Sequence, residues 1–206
     1  MNILVIRHGQ SEADVLKVIE GRADFPLTEL GHKQAEAMAE WINKRYTINK
    51  IFSSPLKRAR QTAEYLSKIT GVETRFDDNL MEWKNGLIAG LSQKEADEKY
   101  PAPNVKYPHT RIYEQESQID FRSRAETVFS GIINENNDDE TIAVISHGGM
   151  INMLFRSFME APVNSTTSIT NSDTGIHHWK IENNRRTIVF CNNQEHINNQ
   201  PPLFSP

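Results

Sequence analysis

The sequence lacks the features that would place it among secreted, membrane or nucleic-acid-binding proteins. A single cysteine, Cys191, among 206 residues excludes an intramolecular disulfide and fits a reducing compartment. No apolar run approaches the length of a membrane span, and the first residues enter a predicted strand without a signal-peptide layout. A formal net charge of only −4 argues against nucleic acid or an anionic membrane as partner. We therefore expect a cytoplasmic protein with neither partner, and its oligomeric state stays open.

Short apolar runs alternate with segments of helical periodicity along the whole chain. This alternation predicts an α/β protein, a three-layer α/β/α sandwich around a mostly parallel sheet. Helices are predicted from Thr28 to near Tyr46 and over residues 56–69, 119–134 and 150–159. The length suits one domain with a sizeable core, and no repeat or shift in composition divides it. We predict a single domain over residues 1–206.

The first apolar run, residues 3–6, ends in Arg7-His8-Gly9. Ligand crevices of open α/β sheets lie at the carboxyl ends of the strands, so His8 stands where a nucleophile would be useful. Arg7 adds a permanent positive charge, and Gly9 allows the backbone to approach an anion closely. The triplet indicates phosphate chemistry on His8, although a structural strand-end histidine is the alternative.

A second apolar run, residues 142–145, ends in Ser146-His147-Gly148-Gly149 before a predicted helix. Free N–H groups at a helix start bind anions, and the helix dipole reinforces them. His147 and Gly148 can therefore face the same phosphoryl group as His8. A metal site is the alternative, but neither histidine has a partner at ligand spacing and Arg7 would repel a cation. We predict no metal and no cofactor.

A third segment, residues 51–63, contains a short strand, a turn at Pro55 and a helix entry. Arg58 falls in the first turn of that helix, where a cation opposes the helix dipole. Such local conflicts often mark a functional site. We interpret Lys57 and Arg60 as a solvated basic face.

Six separated motifs follow one another in an order typical of a known family. They are Arg7-His8-Gly9, then Gly21 with Pro26-Leu27-Thr28-Glu29-Leu30-Gly31, then Ser53-Ser54-Pro55-Leu56-Lys57-Arg58-Ala59, then Glu82 with Gly86 and Gly90, then Ser146-His147-Gly148-Gly149, and finally Asn192-Asn193-Gln194-Glu195-His196-Ile197. In this set and order the chain resembles the histidine phosphatase superfamily, the phosphoglycerate-mutase-like proteins. The resemblance covers nearly the whole chain.

The resemblance implies a metal-independent phosphomonoester hydrolase that works through a phosphohistidine. His8 would be the nucleophile, with Arg7, Arg58 and His147 around the phosphoryl oxygens. Glu82 would be the general acid and base, whereas a solvated loop acid is its alternative interpretation.

Three further positions are implied to bind substrate: Gln10, Asp14 and Gly148. Asp14 departs from the family, which usually has an asparagine there. An ionised carboxylate cannot donate a hydrogen bond to phosphate. Our hypothesis is that Asp14 turns toward Lys17 or Arg22, or toward a hydroxyl of the substrate.

Residues 92–116 are a proline-containing insertion rich in cations and aromatic side chains, including Lys106. The resemblance implies a cap that contributes to substrate choice. Beside it, Glu116, Ser117 and Arg124 are expected to form structural hydrogen bonds.

Two alternatives to a phosphatase remain open. A phosphoglycerate-type mutase would need a closed site, whereas this chain is compact and its tail, residues 198–206, is polar and contains prolines. A non-enzymatic phosphate- or phosphoprotein-binding module is the other. We expect a small phosphorylated substrate in each case.

Overall fold

The computed structural model describes residues 1–105 and 107–198, with strands and helices in alternation. Its strands are β1 (Asn2–Arg7), β2 (Lys50–Ser53), β3 (Thr74–Phe76), β4 (Thr141–Ser146), β5 (Ile176–Glu182) and β6 (Arg185–Asn193). Its helices are α1 (Glu12–Leu16), α2 (Glu29–Asn43), α3 (Lys57–Thr70), α4 (Gln93–Lys99), α5 (Gln118–Asn134), α6 (Gly148–Phe158) and α7 (Glu195–Asn198). Lys106 and the tail from residue 199 onward lie outside the described residues.

Within the described residues, the six strands form one sheet in the order β3-β2-β4-β1-β5-β6. The four strands β3, β2, β4 and β1 are parallel to one another. β5 pairs antiparallel with β1, and β6 pairs antiparallel with β5. β1 and β4 are neighbours in a register that sets Arg7 opposite Ser146. The carboxyl ends of these two strands therefore deliver His8 and His147 to one edge of the sheet.

Side chains of the central strands alternate between two cores. Ile3 and Val5 of β1 pack in a core with residues of α5 and α6. Leu4 and Ile6 pack on the opposite face with residues of α2 and α3. Because successive strand residues point to opposite faces, an all-apolar strand needs helices on both sides. The predicted three-layer α/β/α sandwich is confirmed.

Capping residues explain where α2 begins and where α3 ends. The Thr28 hydroxyl accepts the N–H of Gly31 at 3.0 Å and begins α2. This helix ends at Asn43 rather than near Tyr46. Gly71 ends α3 in a left-handed conformation with φ of 73°, as its place after the periodic segment predicts.

Candidate active site

His8 and His147 lie side by side at the ends of β1 and β4. Their ring centroids are 5.1 Å apart, and the side chains are 1% and 0% exposed. The His8 N–H donates to the Ser146 carbonyl at 3.0 Å, which continues the pairing of the two strands past their ends. The structure therefore brings together the two histidines that the sequence separates by more than half its length.

Hydrogen bonds assign the tautomer of His8. Its Nδ1 lies 2.7 Å from the Gly9 carbonyl, which can only accept, so Nδ1 carries the proton. Nε2 then holds the lone pair and accepts from Arg58 Nε at 3.2 Å. Burial, followed by the charges of Arg58 and Arg7, holds the pKa of His8 well below its usual value. His8 is thus a neutral imidazole whose Nε2 faces a cation.

Arg58 is fully buried in the first turn of α3, where its charge opposes the helix dipole. Its two terminal nitrogens donate to the carbonyls of Ala23 at 3.0 Å and Gly21 at 2.8 Å. These bonds aim Nε at His8. Lys57 and Arg60 on the same helix are exposed, as expected of a solvated face.

Asp14 contacts neither of the basic residues that the sequence suggested. The expectation of Lys17 or Arg22 was wrong, because Asp14 is the third residue of α1 and closes a capping box. Its Oδ2 accepts the Ser11 N–H at 2.8 Å, and this directs Oδ1 to within 3.3 Å of Arg7 Nη2. Lys17 ends α1, and Arg22 donates to the Glu82 carbonyl at 3.3 Å.

Arg7 has a second carboxylate neighbour. The Asp173 Oδ1 lies 3.3 Å from Arg7 Nη2, and Arg7 Nη1 donates to the Asn171 carbonyl at 2.9 Å. Arg7 Nε is buried and has no hydrogen-bond partner among the described residues. The N–H donor at Arg7 Nε is therefore available to bind a ligand.

Glu82 lies at the N-terminus of α6. Its Oε2 accepts the Gly149 N–H at 2.8 Å, and its Oε1 accepts the Trp83 N–H at 2.7 Å. Its carbonyl accepts from Arg124 at 3.0 Å. These bonds hold the carboxyl group at the first turn of α6, the helix that has His147 at its N-cap position.

Arg124 fixes the loop that carries Glu82. It pairs with both carboxylate oxygens of Glu116, at 3.0 and 2.7 Å, and donates to the carbonyls of Asn79 and Met81 at 2.7 Å. Ser117 caps α5. The structural roles predicted for Glu116, Ser117 and Arg124 are confirmed.

His147 presents one unoccupied ring nitrogen. Its Nε2 lies 2.8 Å from Ser54 Oγ, while Nδ1 is buried and has no partner among the described residues. Gly148 follows as the first residue of α6, and N–H groups of a first helical turn lack intrahelical partners. This end of α6 is arranged to receive an anion.

Gln10 serves the fold through the contacts that the structure shows. Its side-chain oxygen accepts from the Thr28 hydroxyl at 2.9 Å, and its backbone N–H donates to Gln34 Oε1 at 2.8 Å. Both contacts tie the segment after His8 to α2. Its role in substrate binding stays a prediction.

Two acidic residues of the site could not be identified from the sequence. Glu20 Oε2 lies 3.2 Å from Arg58 Nε and 3.8 Å from His8 Nε2. Asp173 reaches Arg7 from the loop before β5. Neither belongs to one of the six motifs, and only the loop paths bring them to the strand ends.

The described part of the insertion, residues 92–105 and 107–116, contains α4 and is hydrogen-bonded to the segment after Glu82. Arg111, one of its cations, pairs with both oxygens of Asp120 at 2.7 Å. A cavity of about 400 Å³ opens between α4 and the segment after Glu82, with Trp83, Asn85 and Tyr100 in its wall. The predicted contribution of this cap to substrate choice stays a prediction.

Neither a metal site nor a membrane span is found in the part of the chain that the structure describes. No group of three or more His, Cys, Asp or Glu side chains there could hold a metal ion. No helix among residues 1–105 and 107–198 combines the length and the apolar character that crossing a bilayer requires.

Comparison with known proteins gives consistent results. A family model of the histidine phosphatase superfamily (branch 1) matches residues 3–194. Glucosyl-3-phosphoglycerate phosphatase of Mycobacterium tuberculosis is 29% identical over 171 residues, which cover 78% of this chain and 76% of that protein. A broad-specificity phosphatase of Saccharomyces cerevisiae is 31% identical over 166 residues, or 76% of this chain and 69% of that protein. The solved mycobacterial glucosyl-3-phosphoglycerate phosphatase with VO3 superposes with a TM-score of 0.79 at 26% identity, covering 93% and 98% of the two chains.

Proposed function

The chain belongs to the histidine phosphatase superfamily and is a phosphatase of that type, and from this premise we propose that it hydrolyses small phosphomonoesters through a phosphohistidine on His8. The resemblance expected from the motifs is thereby confirmed. The residue roles that follow are our proposal, argued from the contacts of each side chain.

One observation carries the proposal: a neutral, buried imidazole presents its lone pair at the point where unpaired donors converge. His8 Nε2 faces Arg58 Nε at 3.2 Å. Arg7 Nε is a buried donor and His147 Nδ1 is a buried ring nitrogen, and neither has a partner among the described residues. A phosphoryl group satisfies such donors, since its oxygens accept several charge-assisted hydrogen bonds.

In the first step, His8 Nε2 forms a bond to phosphorus as the ester P–O bond breaks in line. Arg7, Arg58, His147 and the start of α6 at Gly148 stabilise the charge on the equatorial oxygens. Glu82, in its protonated form, gives its proton to the leaving oxygen. The alcohol departs and His8 carries the phosphoryl group.

In the second step, Glu82 accepts a proton from water as the water oxygen bonds to phosphorus and the P–N bond breaks. Inorganic phosphate leaves, and His8 returns to its neutral form. The cations of the chain supply the charge stabilisation, so we propose that no metal takes part.

The substrate is proposed only by class. The mycobacterial relative is named for glucosyl-3-phosphoglycerate and the yeast relative for broad specificity. We propose a small phosphorylated metabolite for this chain. Its cytoplasmic location and its lack of nucleic-acid and membrane partners stay predictions.

The test is release of inorganic phosphate from a panel of phosphomonoesters in excess chelator, for the unmodified protein and for His8→Ala. Turnover that survives chelation and disappears in His8→Ala supports the proposal. Transfer of a phosphoryl group between positions of a sugar acid, without release, would establish a mutase instead. No reaction of either kind would leave a binding module.

A further inference from the structure

Glu20 lies in the wall of the phosphoryl site, although phosphate chemistry requires positive charge there. Its side chain is 16% exposed, with Oε2 3.2 Å from Arg58 Nε and 3.8 Å from the nucleophilic His8 Nε2. Its Oε1 contacts Ser11 Oγ. A phosphoryl group bonded to His8 Nε2 would therefore have its oxygens close to this carboxyl group.

Ser11 connects the carboxyl group of Glu20 with that of Asp14. Ser11 Oγ lies 3.0 Å from Asp14 Oδ2 and also contacts Glu20 Oε1, yet a hydroxyl group has one proton to donate. It accepts the Asp14 N–H at 3.2 Å through one lone pair, which leaves one lone pair for another donor. The hydroxyl group can therefore donate to only one of the two carboxyl groups at a time, and its remaining lone pair can accept a proton from Glu20 when Glu20 is protonated.

Asp14 has two other contacts. Its two oxygens accept the Ser11 N–H at 2.8 Å and approach Arg7 Nη2 at 3.3 Å. When Glu20 is protonated, its proton can go to Ser11 Oγ, whose own proton can then go to Asp14 Oδ2, so that both carboxyl groups keep a hydrogen bond to the hydroxyl group.

Resting on the proposed function, we propose that Glu20 is a proton-coupled specificity residue: the site binds a phosphoryl group only when Glu20 is protonated, so that binding takes up one proton. In this form Glu20 carries no charge against the phosphoryl oxygens. Its Oε2 stays beside Arg58 Nε, and Arg58 keeps its full positive charge for the ligand. In the ionised form Glu20 competes with the ligand for Arg58.

The groups that face Glu20 come from three elements. They are Arg58 of α3, Asp14 of α1, and Arg7 and His8 at the end of β1. Burial raises the pKa of Glu20, and Asp14 raises it further, while Arg58, the Ser11 hydroxyl and Arg7 lower it. The net shift of the Glu20 pKa is upward, so Glu20 keeps its proton to a higher pH than a free glutamate does.

The test is equilibrium binding of sulfate, which mimics a bound phosphoryl group and stays a dianion throughout the range used. Calorimetry of the unmodified protein in two buffers of different ionisation enthalpy counts the protons taken up. We expect uptake to approach one proton, and the dissociation constant to rise about tenfold per pH unit above the Glu20 pKa. This measurement needs no variant.

Glu20→Gln copies the neutral form, because its amide group carries no charge and its N–H can donate to Ser11 in place of the carboxyl proton. We expect it to bind sulfate at about neutral pH as tightly as the unmodified protein does in acid, without proton uptake. Glu12→Gln, an exposed change on the neighbouring helix α1, is the matched control and keeps the pH dependence. Circular dichroism confirms that each variant is folded.

Three results would overturn the inference. Sulfate binding without proton uptake would do so while leaving the phosphatase proposal intact, if His8-dependent phosphate release is observed. Uptake that persists in Glu20→Gln would place the proton on another group, such as a histidine or Asp173. Absence of sulfate binding even in acid would show that the pocket is not a phosphoryl site of this kind, and, together with absence of phosphate release, would remove the proposed function as well.

Discussion

Replacing Asp14 by asparagine removes a carboxylate that shares Arg7 with any bound phosphoryl group. Asp14 Oδ1 lies 3.3 Å from Arg7 Nη2, so a phosphoryl oxygen on the same guanidinium would come to about 6 Å from this carboxylate, where two unit charges repel by about 3 kcal/mol at an effective dielectric of about 20. The side chain is 30% exposed, and screening by solvent leaves roughly half of that repulsion, about 1.4 kcal/mol. We expect Asp14→Asn to bind inorganic phosphate about tenfold more tightly.

The assay is competitive inhibition of aryl phosphate turnover by inorganic phosphate, with kcat/KM measured on a panel of esters. Repulsion predicts a similar gain in kcat/KM for every ester, and Glu12→Gln on the same helix should leave both quantities unchanged. Weaker phosphate binding by Asp14→Asn would refute the reasoning. A loss confined to esters with a nearby hydroxyl group would instead show that Asp14 contacts the substrate.

Three further changes test other parts of the account. Glu82→Gln should lower kcat by about 10²–10⁴-fold on esters with poor leaving groups, and an unchanged kcat on such esters would contradict the assignment. Gly149→Ala should also lower kcat, because an added Cβ would lie only 2.3 Å from Glu82 Oε1; Gly131→Ala, whose Cβ would meet only Glu135 Oε1 at 4.0 Å, is the control. Burial lowers the pKa of His196 from 6.5 to about 4, so below 6.5 the unfolded chain binds a proton that the folded chain refuses, and stability falls as pH falls toward 4. This residue contributes about 3 kcal/mol to that loss. In His196→Gln, the free energy of unfolding measured with denaturant should therefore fall by about 3 kcal/mol less between pH 6.5 and pH 4. An unaltered pH dependence would show that His196 is not the group responsible.

The centre of the fold could be predicted from the sequence because its signals are local. The apolar runs of β1 and β4 predict buried strands, and strand ends in an α/β sheet share an edge. The pattern of residues alone therefore places His8 beside His147. Arg58 was identifiable for a related reason, since its charge conflicts with the start of its own helix.

The partner of Asp14 and the presence of Glu20 and Asp173 in the site could not be predicted, because they depend on tertiary geometry. The capping box of α1 directs the Asp14 carboxylate toward Arg7, and not toward Lys17 or Arg22. Glu20 and Asp173 lie in loops, and the hydrophobic periodicity of the sequence does not predict the conformation of a loop. The antiparallel strands β5 and β6 were likewise not singled out, since their side chains are of mixed polarity.

The central claim is that His8 carries the phosphoryl group during turnover. The most direct measurement is rapid acid-free quenching of the protein with a radiolabelled phosphomonoester in excess chelator, followed by peptide mapping of the label. We expect a phosphoramidate on the peptide containing His8, stable in base and labile in acid, that forms and decays at rates compatible with turnover and is absent from His8→Ala. Turnover without label on His8, or label on another residue, would contradict it.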